Sequence, residues 1–333
     1  MTETVLSGLR PTGRVHLGNY FGAVKNWVDL EKSGTYRCFF FVADLHALTT
    51  DYADTAPLAQ NTRDAVLDWL AVGLDPERAT VFLQSRVPQH AELALYFSMI
   101  TPLGWLERVP TYKDQIEQLK SRDLGTHGFL GYPVLMTADI AVYRAQHVPV
   151  GEDQASHLEI CREIVRRFNS LYGDVFPEPK ALYTPTPKVN GIDGRKMSKS
   201  YGNTIGITED APAVAQKVMA MVTDPARQRR QDPGRPECCN LFPFHELYSP
   251  AAEVRVVDRE CRTAARGCVD CKKHLIGNLN AALEPFRARR AELTARKSDV
   301  VRDVLHAGDE RARCVAEETM EKVRAAVRLS PAP

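Results

Sequence analysis

The strongest constraint on the fold is a short apolar run, Arg37–Ala43 (RCFFFVA), which after its first residue has no polar face. A strand of this kind belongs in a parallel sheet that is buried on both faces. Thr4–Ser7 and Thr80–Leu83 predict two further strands, while Gly18–Leu30 and Pro57–Ala71 predict helices between them. This alternation predicts an α/β fold with a Rossmann-like parallel sheet, whose ligands bind where the strands end and the helices begin.

The pattern changes near residue 190, after which the chain has almost no β-rich run. Helices are predicted at Ala213–Val222, Lys273–Phe286 and Glu310–Val327. We therefore expect a Rossmann-like catalytic domain over residues 1–190 and a smaller all-α domain over residues 191–305. A C-terminal helix over residues 309–329 is placed to pack back on the first domain.

Composition excludes several classes of protein. With 333 residues, 44% hydrophobic, 26% charged and a net charge of +1, the chain has the balance of an ordinary soluble globular protein. No apolar run approaches the roughly 18 residues that a membrane helix needs, and the first residues lack the pattern of a signal peptide. We expect a cytoplasmic protein without membrane contact, in which clustered cysteines are metal ligands or catalytic groups more often than disulfides.

The first candidate site is LSGLRPTGRVHLGNY, residues 6 to 20, where a strand leads through a glycine-rich turn into a helix. A helix N-terminus presents free N–H groups and favours phosphate. Gly18 permits close approach of a nucleotide to the backbone, and His16 and Asn19 share one face. The spacing matches neither a dinucleotide-binding turn nor a P-loop, so a glycine-rich turn with an isolated histidine is the competing interpretation.

The second candidate site is DGRKMSKSYGN, residues 193 to 203. Its lysines, Lys196 and Lys199, lie in a loop rich in small residues, where two ammonium groups can stabilise a leaving pyrophosphate. The alternative is a solvated basic loop. HLGN followed about 180 residues later by KMSKS resembles the paired signatures of class I aminoacyl-tRNA synthetases. Asn19 stands where that family usually has histidine, a variant that its tryptophan and tyrosine members tolerate.

That resemblance implies the residues that handle ATP. His16, Asn19, Lys196 and Lys199 take the catalytic roles. The implied ATP-binding residues are Arg10, Pro11, Thr12, Gly18, Asn19, Gly151, Glu152, Asp153, Val189, Lys196, Met197, Ser198, Lys199 and Ser200.

A third segment, GYPVLMTADIAVY, residues 131 to 143, is similar to the amino-acid recognition helix of the tryptophanyl members. Tyr132, Met136, Asp139 and Tyr143 recur on one helical face. The resemblance implies that Asp139 accepts the indole N–H and that Met136 packs on the ring. It also assigns Tyr132, His46 and Gln154 to the tryptophan site. A surface carboxylate is the alternative for Asp139, and the apolar stripe around it argues against that reading.

The implied reaction is ATP-dependent attachment of L-tryptophan to tRNA(Trp) through tryptophanyl-adenylate, with Mg²⁺ on the triphosphate. The resemblance also implies a homodimer, with tRNA spanning both subunits. The alternatives are a tyrosyl-tRNA synthetase, a tRNA-binding paralogue without aminoacylation, and an adenylyltransferase of small metabolites. Intact HLGN and KMSKS argue against the paralogue, and the helical tail argues against the adenylyltransferase.

Five of the eight cysteines fall within 34 positions, and four of them form C-x22-C-x6-C-x2-C: Cys238, Cys261, Cys268 and Cys271. Four thiolates suit zinc or a [4Fe–4S] cluster, and the spacing alone does not choose. It resembles the iron–sulfur variety of the tryptophanyl members, with a cluster in the anticodon-binding domain. Cys239 is an alternative ligand, whereas the other cysteines, Cys38, Cys161 and Cys314, are expected to be buried.

The basic residues among these cysteines suggest a role in RNA contact. We expect the cluster to hold Arg262, Arg266, Lys272 and Lys273 near the tRNA anticodon. Between residues 227 and 274 there are ten Lys and Arg residues and seven Asp and Glu residues, an excess of three positive charges.

Overall fold

A computed structural model describes residues 2–109, 124–151, 155–183 and 189–329. Its centre is a parallel five-stranded sheet in the order β3-β2-β1-β4-β5. This is the strand order of a Rossmann-type sheet, so the predicted fold class is confirmed. The strands are β1 (Thr4–Leu9), β2 (Arg37–Val42), β3 (Thr80–Leu83), β4 (His147–Val150) and β5 (Lys180–Tyr183).

Helices lie on both faces of the sheet and form most of the second half of the chain. In chain order they are α1 (Leu17–Asn19), α2 (Lys25–Ser33), α3 (Asp44–Asp51), α4 (Leu58–Ala71), α5 (Gln89–Ile100), α6 (Leu103–Glu107), α7 (His127–Leu130), α8 (Tyr132–Val142), α9 (Ala155–Tyr172), α10 (Ala211–Ala220), α11 (Phe242–Tyr248), α12 (Ala251–Arg262), α13 (Cys268–Ala295) and α14 (Val300–Ala326). A π-helical turn, Tyr20–Val24, joins α1 to α2. A 3₁₀ turn, Lys199–Tyr201, lies inside the second signature.

The first strand runs two residues further than predicted, because Gly8 and Leu9 continue the parallel ladder with β2. Gly8 is required there for space: a Cβ on it would lie 2.5 Å from the ring of Phe41. The turn of the first signature therefore begins at Arg10. Its position at the carboxyl end of the central strand places it where parallel sheets bind ligands.

The sequence did not reveal β4 and β5. Both are four residues long and neither contains an uninterrupted apolar run. β4 also carries Pro149, which cannot donate to the ladder, and it pairs with β1 only between Val5 and His147. Short strands with such composition lack the pattern on which strand prediction depends.

The C-terminal helix α14 begins ten residues earlier than predicted, at Val300 instead of Glu310, and lies against β3. A Cβ on Gly308 would come within 1.7 Å of the Val81 carbonyl oxygen, so the helix and strand backbones touch. Asp309 Oδ1 accepts a hydrogen bond from Leu83 N at 2.9 Å. The helix therefore covers the open edge of the sheet.

The two halves of the chain share one apolar core. Trp27 and Phe40 from the first half pack in the same buried cluster as Leu275, Leu279 and Leu283 from α13. The domain boundary near residue 190 remains a prediction, since this shared core continues across it. Of the helices that the structure describes, none has the length and apolar character to cross a membrane.

Three cysteines lie outside the cysteine-rich region. Cys38 and Cys161 are buried, as predicted for small apolar side chains. Cys314 is exposed, so the prediction for it was wrong: it lies on the solvent side of α14, whose other face packs against the sheet.

Candidate functional site

His16 shapes the turn of the first signature. It is the N-cap of α1, and its Nδ1 accepts a hydrogen bond from Asn19 N at 3.3 Å. Only 7% of the side chain is exposed, and burial followed by the charge of Lys199 lowers the pKa of His16 to about 4. The imidazole is therefore neutral near pH 7, with Nε2 left to donate. The contact joins the His16 ring to the backbone of Asn19, and the prediction that both side chains face one ligand stays a prediction.

Lys199 lies directly over this turn. Its Nζ donates a hydrogen bond to the Thr12 carbonyl oxygen at 2.6 Å. Gly13 beside it has φ +95°, and a Cβ there would lie 3.2 Å from the same Nζ. Burial lowers the pKa of Lys199 to about 8, although Asp68 and Asp64 act in the opposite direction. The two signatures, about 180 residues apart in the sequence, meet at one point.

Asn203 holds the second signature in shape. Its Oδ1 accepts from Ser198 N at 2.8 Å, and its Nδ2 donates to Asp193 Oδ1 at 2.8 Å and to the Lys196 carbonyl oxygen at 3.1 Å. Gly191 must lack a Cβ, which would lie 2.2 Å from the Asn203 side chain. Lys196 itself is exposed, whereas Lys199, the second lysine of the pair, lies against the first signature.

The remaining predicted ATP residues occupy different environments. Arg10 donates to Thr50 Oγ1 at 3.1 Å, and Pro11 is buried. Met197 is buried in the core, and Val189 packs against the same core cluster. A Cβ on Gly18 would lie 3.0 Å from the His16 ring. Gly151 follows β4 and Ser200 lies in the 3₁₀ turn, whereas Glu152, Asp153 and Gln154 fall outside the described residues.

Asp139 is the centre of a buried polar network at the carboxyl end of β3. It is 2% exposed. Its Oδ2 accepts from His46 Nε2 at 2.8 Å, and its Oδ1 accepts from Gln84 Nε2 at 2.7 Å and from His90 Nδ1 at 2.6 Å. Burial alone would raise the pKa of Asp139, but the two histidines reverse that effect and lower it. The carboxylate is therefore ionised, and it is not a surface charge.

Met136 and Tyr132 flank Asp139 on α8. Met136 is half-buried and packs against the apolar cluster of this face. Tyr132 is half-buried, with its hydroxyl 2.9 Å from His157 Nδ1. Tyr132 is the first residue of α8 and Tyr143 is its C-cap. The four residues predicted to share one helical face therefore span the whole helix.

Sequence reasoning missed Gln84 and His90. Gln84 follows β3 immediately and its Oε1 accepts from the backbone of Leu45 at 3.1 Å. His90 is fully buried and its Nε2 lies 2.8 Å from the Tyr143 hydroxyl. The rule that ligands bind at the carboxyl ends of parallel strands singles out Gln84. No local pattern distinguishes His90 from an ordinary core histidine.

The cysteine-rich region brings its thiols into one neighbourhood. Cys239, Cys261, Cys268 and Cys271 are half-buried, whereas Cys238 is exposed. Burial raises the pKa of the Cys271 thiol to about 12, with further contributions from Cys239, Cys261 and Cys268. Within the described residues, no three His, Cys, Asp or Glu side chains converge as a ready-made metal site. The donor chemistry suits a thiolate-bound metal, since thiols close enough to act on one another electrostatically are the ligands that such a metal takes.

Three of the four basic residues expected to face RNA have intramolecular partners. Arg262 pairs with Glu237 and Asp258, and Arg266 Nε donates to Glu260 Oε2 at 2.7 Å. Lys272 Nζ donates to the Met219 carbonyl oxygen at 2.8 Å.

The chain is similar throughout its length to known proteins. Residues 2–284 match the family model described as tRNA synthetases class I (W and Y). A tryptophan–tRNA ligase from Thermotoga maritima is 50% identical over 326 residues, which cover 98% of this chain and 99% of the relative. A tryptophan–tRNA ligase from Aquifex aeolicus is 44% identical, again with 98% and 99% coverage.

A solved structure agrees with the sequence relatives. The crystal structure of tryptophanyl-tRNA synthetase from Campylobacter jejuni complexed with ADP and tryptophane superposes with a TM-score of 0.87 at 35% identity. The match covers 97% of this chain and 99% of the other.

Proposed function

The chain belongs to the class I tRNA synthetases of the tryptophan and tyrosine type, and from that premise we propose that it is a tryptophan–tRNA ligase. It joins L-tryptophan to ATP, supplied as its magnesium complex, to form tryptophanyl-adenylate and pyrophosphate. It then transfers the tryptophanyl group to the terminal adenosine of tRNA(Trp) and releases AMP. The observation that carries the choice of amino acid is the set of donors around Asp139.

A carboxylate has about four lone-pair positions for hydrogen bonds. Three of them are occupied in the Asp139 network, by His46, Gln84 and His90. The position that remains suits an indole N–H, which donates one hydrogen bond and accepts none. A phenol hydroxyl also needs a donor, and the three donors beside Asp139 are already directed at the carboxylate. Tyrosine would therefore bury an unsatisfied oxygen, which is penalised heavily.

The chemistry of the first step requires no general base, since the attacking carboxylate of tryptophan is already ionised. The chain must position the two substrates and stabilise the negative charge that develops on the phosphates. His16, neutral and held by Asn19 N, offers Nε2 as a hydrogen-bond donor at the turn. Lys199 offers a positive charge at the same turn. We assign these two groups to the phosphates of ATP and to the leaving pyrophosphate.

The experiment that tests this function is tryptophan-dependent exchange of pyrophosphate into ATP, measured in parallel with each of the other proteinogenic amino acids. Exchange with tryptophan alone, followed by charging of tRNA(Trp), is expected. Exchange with tyrosine in place of tryptophan would show the tyrosyl activity instead. Binding of tRNA without any exchange would show a paralogue that has lost aminoacylation.

We also propose that the cysteine-rich region holds a [4Fe–4S] cluster through Cys261, Cys268, Cys271 and one thiolate of the Cys238–Cys239 pair. Four soft thiolate donors in one neighbourhood support it. The sequence spacing favours Cys238 as the fourth ligand. The burial of Cys239, which packs against the same core cluster as Cys271, favours Cys239. When bound, the cluster would crosslink the segment before α11 to the start of α13.

Protein purified without oxygen is expected to be brown, to absorb near ~400 nm, and to contain iron and acid-labile sulfide. Replacement of the fourth ligand by serine should lower the iron content sharply. The matched pair Cys238→Ser and Cys239→Ser identifies it, since only one of the two variants should lose iron. Stoichiometric zinc in place of iron, or wild-type iron content in both variants, would exclude the proposed site.

We propose, finally, that two copies of the chain associate through the surface formed by α5 and α6. Leu95, Met99 and Leu103 are 56%, 70% and 64% exposed, a concentration of large apolar side chains that monomeric proteins rarely present to water. Such a patch suits the self-complementary interface of a twofold homodimer. tRNA would then contact both subunits. Lys273 is exposed, and we assign it to the contact with tRNA.

Placing two glutamates in this surface, with L95E and M99E in one chain, is expected to convert the dimer to a monomer. The reason is that burying two carboxylates costs several kcal/mol. Light scattering coupled to gel filtration measures the mass directly. Leu329→Glu, at a residue that is 65% exposed at the C-terminal end, is the matched control and should leave the dimer intact. A wild-type protein that is monomeric at micromolar concentration would contradict the proposal.

A further inference from the structure

Asp68 is a fully buried carboxylate that connects three separate parts of the chain. It lies on α4 and is 0% exposed. Its Oδ2 accepts from Val15 N at 2.7 Å, and its Oδ1 accepts from Thr208 Oγ1 at 2.8 Å and from Arg290 Nη1 at 2.5 Å. The arginine is held on its other side by Asp64, which pairs with Nη2 and whose carbonyl oxygen accepts from Nη1 at 3.1 Å.

Two of these donors belong to the segments that form the ATP site. Val15 directly precedes His16, and Thr208 follows the second signature. The same two segments are joined through their backbones, because Leu17 N donates to the Ile205 carbonyl oxygen at 2.9 Å and Ile207 N donates to the Val15 carbonyl oxygen at 3.0 Å. Asp68 therefore holds the backbone of Val15, the residue directly before His16, in place.

Arg290 comes from a distant part of the fold. It lies near the end of α13, the 28-residue helix that begins at Cys268. At about 1.5 Å per residue, the 19 residues from Cys271 to Arg290 correspond to roughly 28 Å of helix. One continuous helix, with Pro285 inside it, thus joins the cysteine-rich region to the carboxylate behind the ATP turn.

A buried carboxylate needs a partner for its charge. Burial raises the pKa of Asp68, and Arg290, Val15 N and Thr208 act to lower it. Without the guanidinium, the carboxylate would take up a proton or draw in water. Either change weakens its hold on Val15 N and on Thr208.

We propose that Arg290 is a positioning residue of the ATP site, acting through Asp68 on the turn that carries His16. This inference rests on the proposed function, because it assigns ATP to that turn. Arg290 touches no substrate. It sets the geometry in which His16 and Lys199 meet the phosphates, and it makes that geometry depend on the placement of α13.

Tryptophan affinity serves as an internal control for the effect of Arg290 on ATP affinity. Asp139 and its donors lie on α3, the segment after β3, α5 and α8, none of which contributes to the hydrogen bonds of Asp68. Loss of positioning at the ATP turn should therefore weaken ATP and spare tryptophan. General loosening of the fold would weaken both.

The experiment compares R290Q with R289Q. Arg289 is the adjacent residue of α13, is 48% exposed, and pairs with Glu292 at the surface. In R290Q, the dissociation constant of a non-hydrolysable ATP analogue should rise about ten-fold. The single-turnover rate of adenylate formation should fall by roughly 10–100-fold, the scale expected for a small misplacement of reacting groups. Tryptophan affinity should change less than about two-fold, and R289Q should match the wild type.

Two further variants separate positioning from folding. R290K retains one charged hydrogen bond to Asp68 and should recover part of the ATP affinity. D68N/R290Q should be no worse than R290Q, because the arginine acts through the carboxylate and the two effects are not additive. If R290Q does not fold, R290K and D68N carry the same comparison.

Wild-type ATP affinity and adenylation rate in R290Q would overturn the inference, as would equal losses for ATP and tryptophan. Additive losses in the double variant would also overturn it. Failure of the wild-type protein to exchange pyrophosphate with tryptophan is a different result, since it would refute the proposed function itself.

Discussion

Replacing Lys199 with alanine is expected to lower the rate of tryptophanyl-adenylate formation by about 10²–10³-fold, the range found when one preorganised charge-stabilising group is removed. The Lys199 ammonium group lies 2.6 Å from the Thr12 carbonyl oxygen, above the turn where the triphosphate is proposed to bind. It stabilises charge that appears only as pyrophosphate leaves. The effect should therefore fall on the rate and leave the affinity for tryptophan unchanged. Single-turnover measurement of adenylate in quench-flow tests the rate.

The pH dependence gives the same prediction a second readout. Because burial lowers the pKa of Lys199 to about 8, the free enzyme loses this positive charge as the pH rises through 8. kcat/KM for ATP, which reports the free enzyme, should fall above that pH. His16 has a pKa of about 4 and stays neutral in this range, so it contributes no second step. Lys199→Arg keeps the charge at high pH and should remove the alkaline decline.

Unchanged single-turnover adenylation in Lys199→Ala would exclude the proposed role. Lys196→Ala provides the comparison within the same loop. Lys196 is exposed, and its carbonyl oxygen accepts a hydrogen bond from Asn203 Nδ2 at 3.1 Å. A loss in Lys196→Ala as large as that in Lys199→Ala would show that both lysines act on the phosphates.

Local sequence patterns were sufficient to predict the first three strands of the sheet. Apolar runs identified β1, β2 and β3 because these strands are buried on both faces, and burial leaves a continuous apolar signal. β4 and β5 carry no such signal. The predicted start of α13 was five residues late, since Cys268 and the polar residues after it do not continue the apolar periodicity of Leu275, Leu279 and Leu283.

In the candidate site, too, contiguous motifs identified some residues, and contacts between distant parts of the chain left others unidentified. His16, Asn19 and Lys199 were identified because their signatures are contiguous in the sequence, and the structure places His16 and Lys199 at one turn. Asp68 and Arg290 were not identified, although they join the same turn to α13. These two residues are 222 positions apart, and a contact between single residues at that distance leaves no periodic or compositional trace. A lone aspartate within a helical pattern looks the same whether it is buried or exposed.

Replacing Asp139 with asparagine or alanine is expected to raise the dissociation constant of tryptophan by about 10–150-fold, which corresponds to the 1.5–3 kcal/mol of a hydrogen bond to a charged group. The indole N–H would lose its acceptor in both variants. Alanine would also leave His46, Gln84 and His90 directed at an empty position. Asparagine would direct an amide N–H₂ group at one of those donors or at the indole itself. Equilibrium dialysis with labelled tryptophan measures the affinity.

A matched control distinguishes this role from the ordinary cost of altering a buried acid. Asp309 is 7% exposed and accepts a hydrogen bond from Leu83 N at the edge of the sheet. Asp309→Asn should lower stability without changing tryptophan affinity, whereas Asp139→Asn should change tryptophan affinity while ATP-analogue affinity stays the same. Intact tryptophan affinity in Asp139→Asn would refute the assignment. A gain of tyrosine activation in that variant would instead show that the acceptor, more than the shape of the pocket, separates tryptophan from tyrosine. With three donors facing the position of the carboxylate, we expect no such gain, because the unpaired groups penalise either ligand once the acceptor is removed.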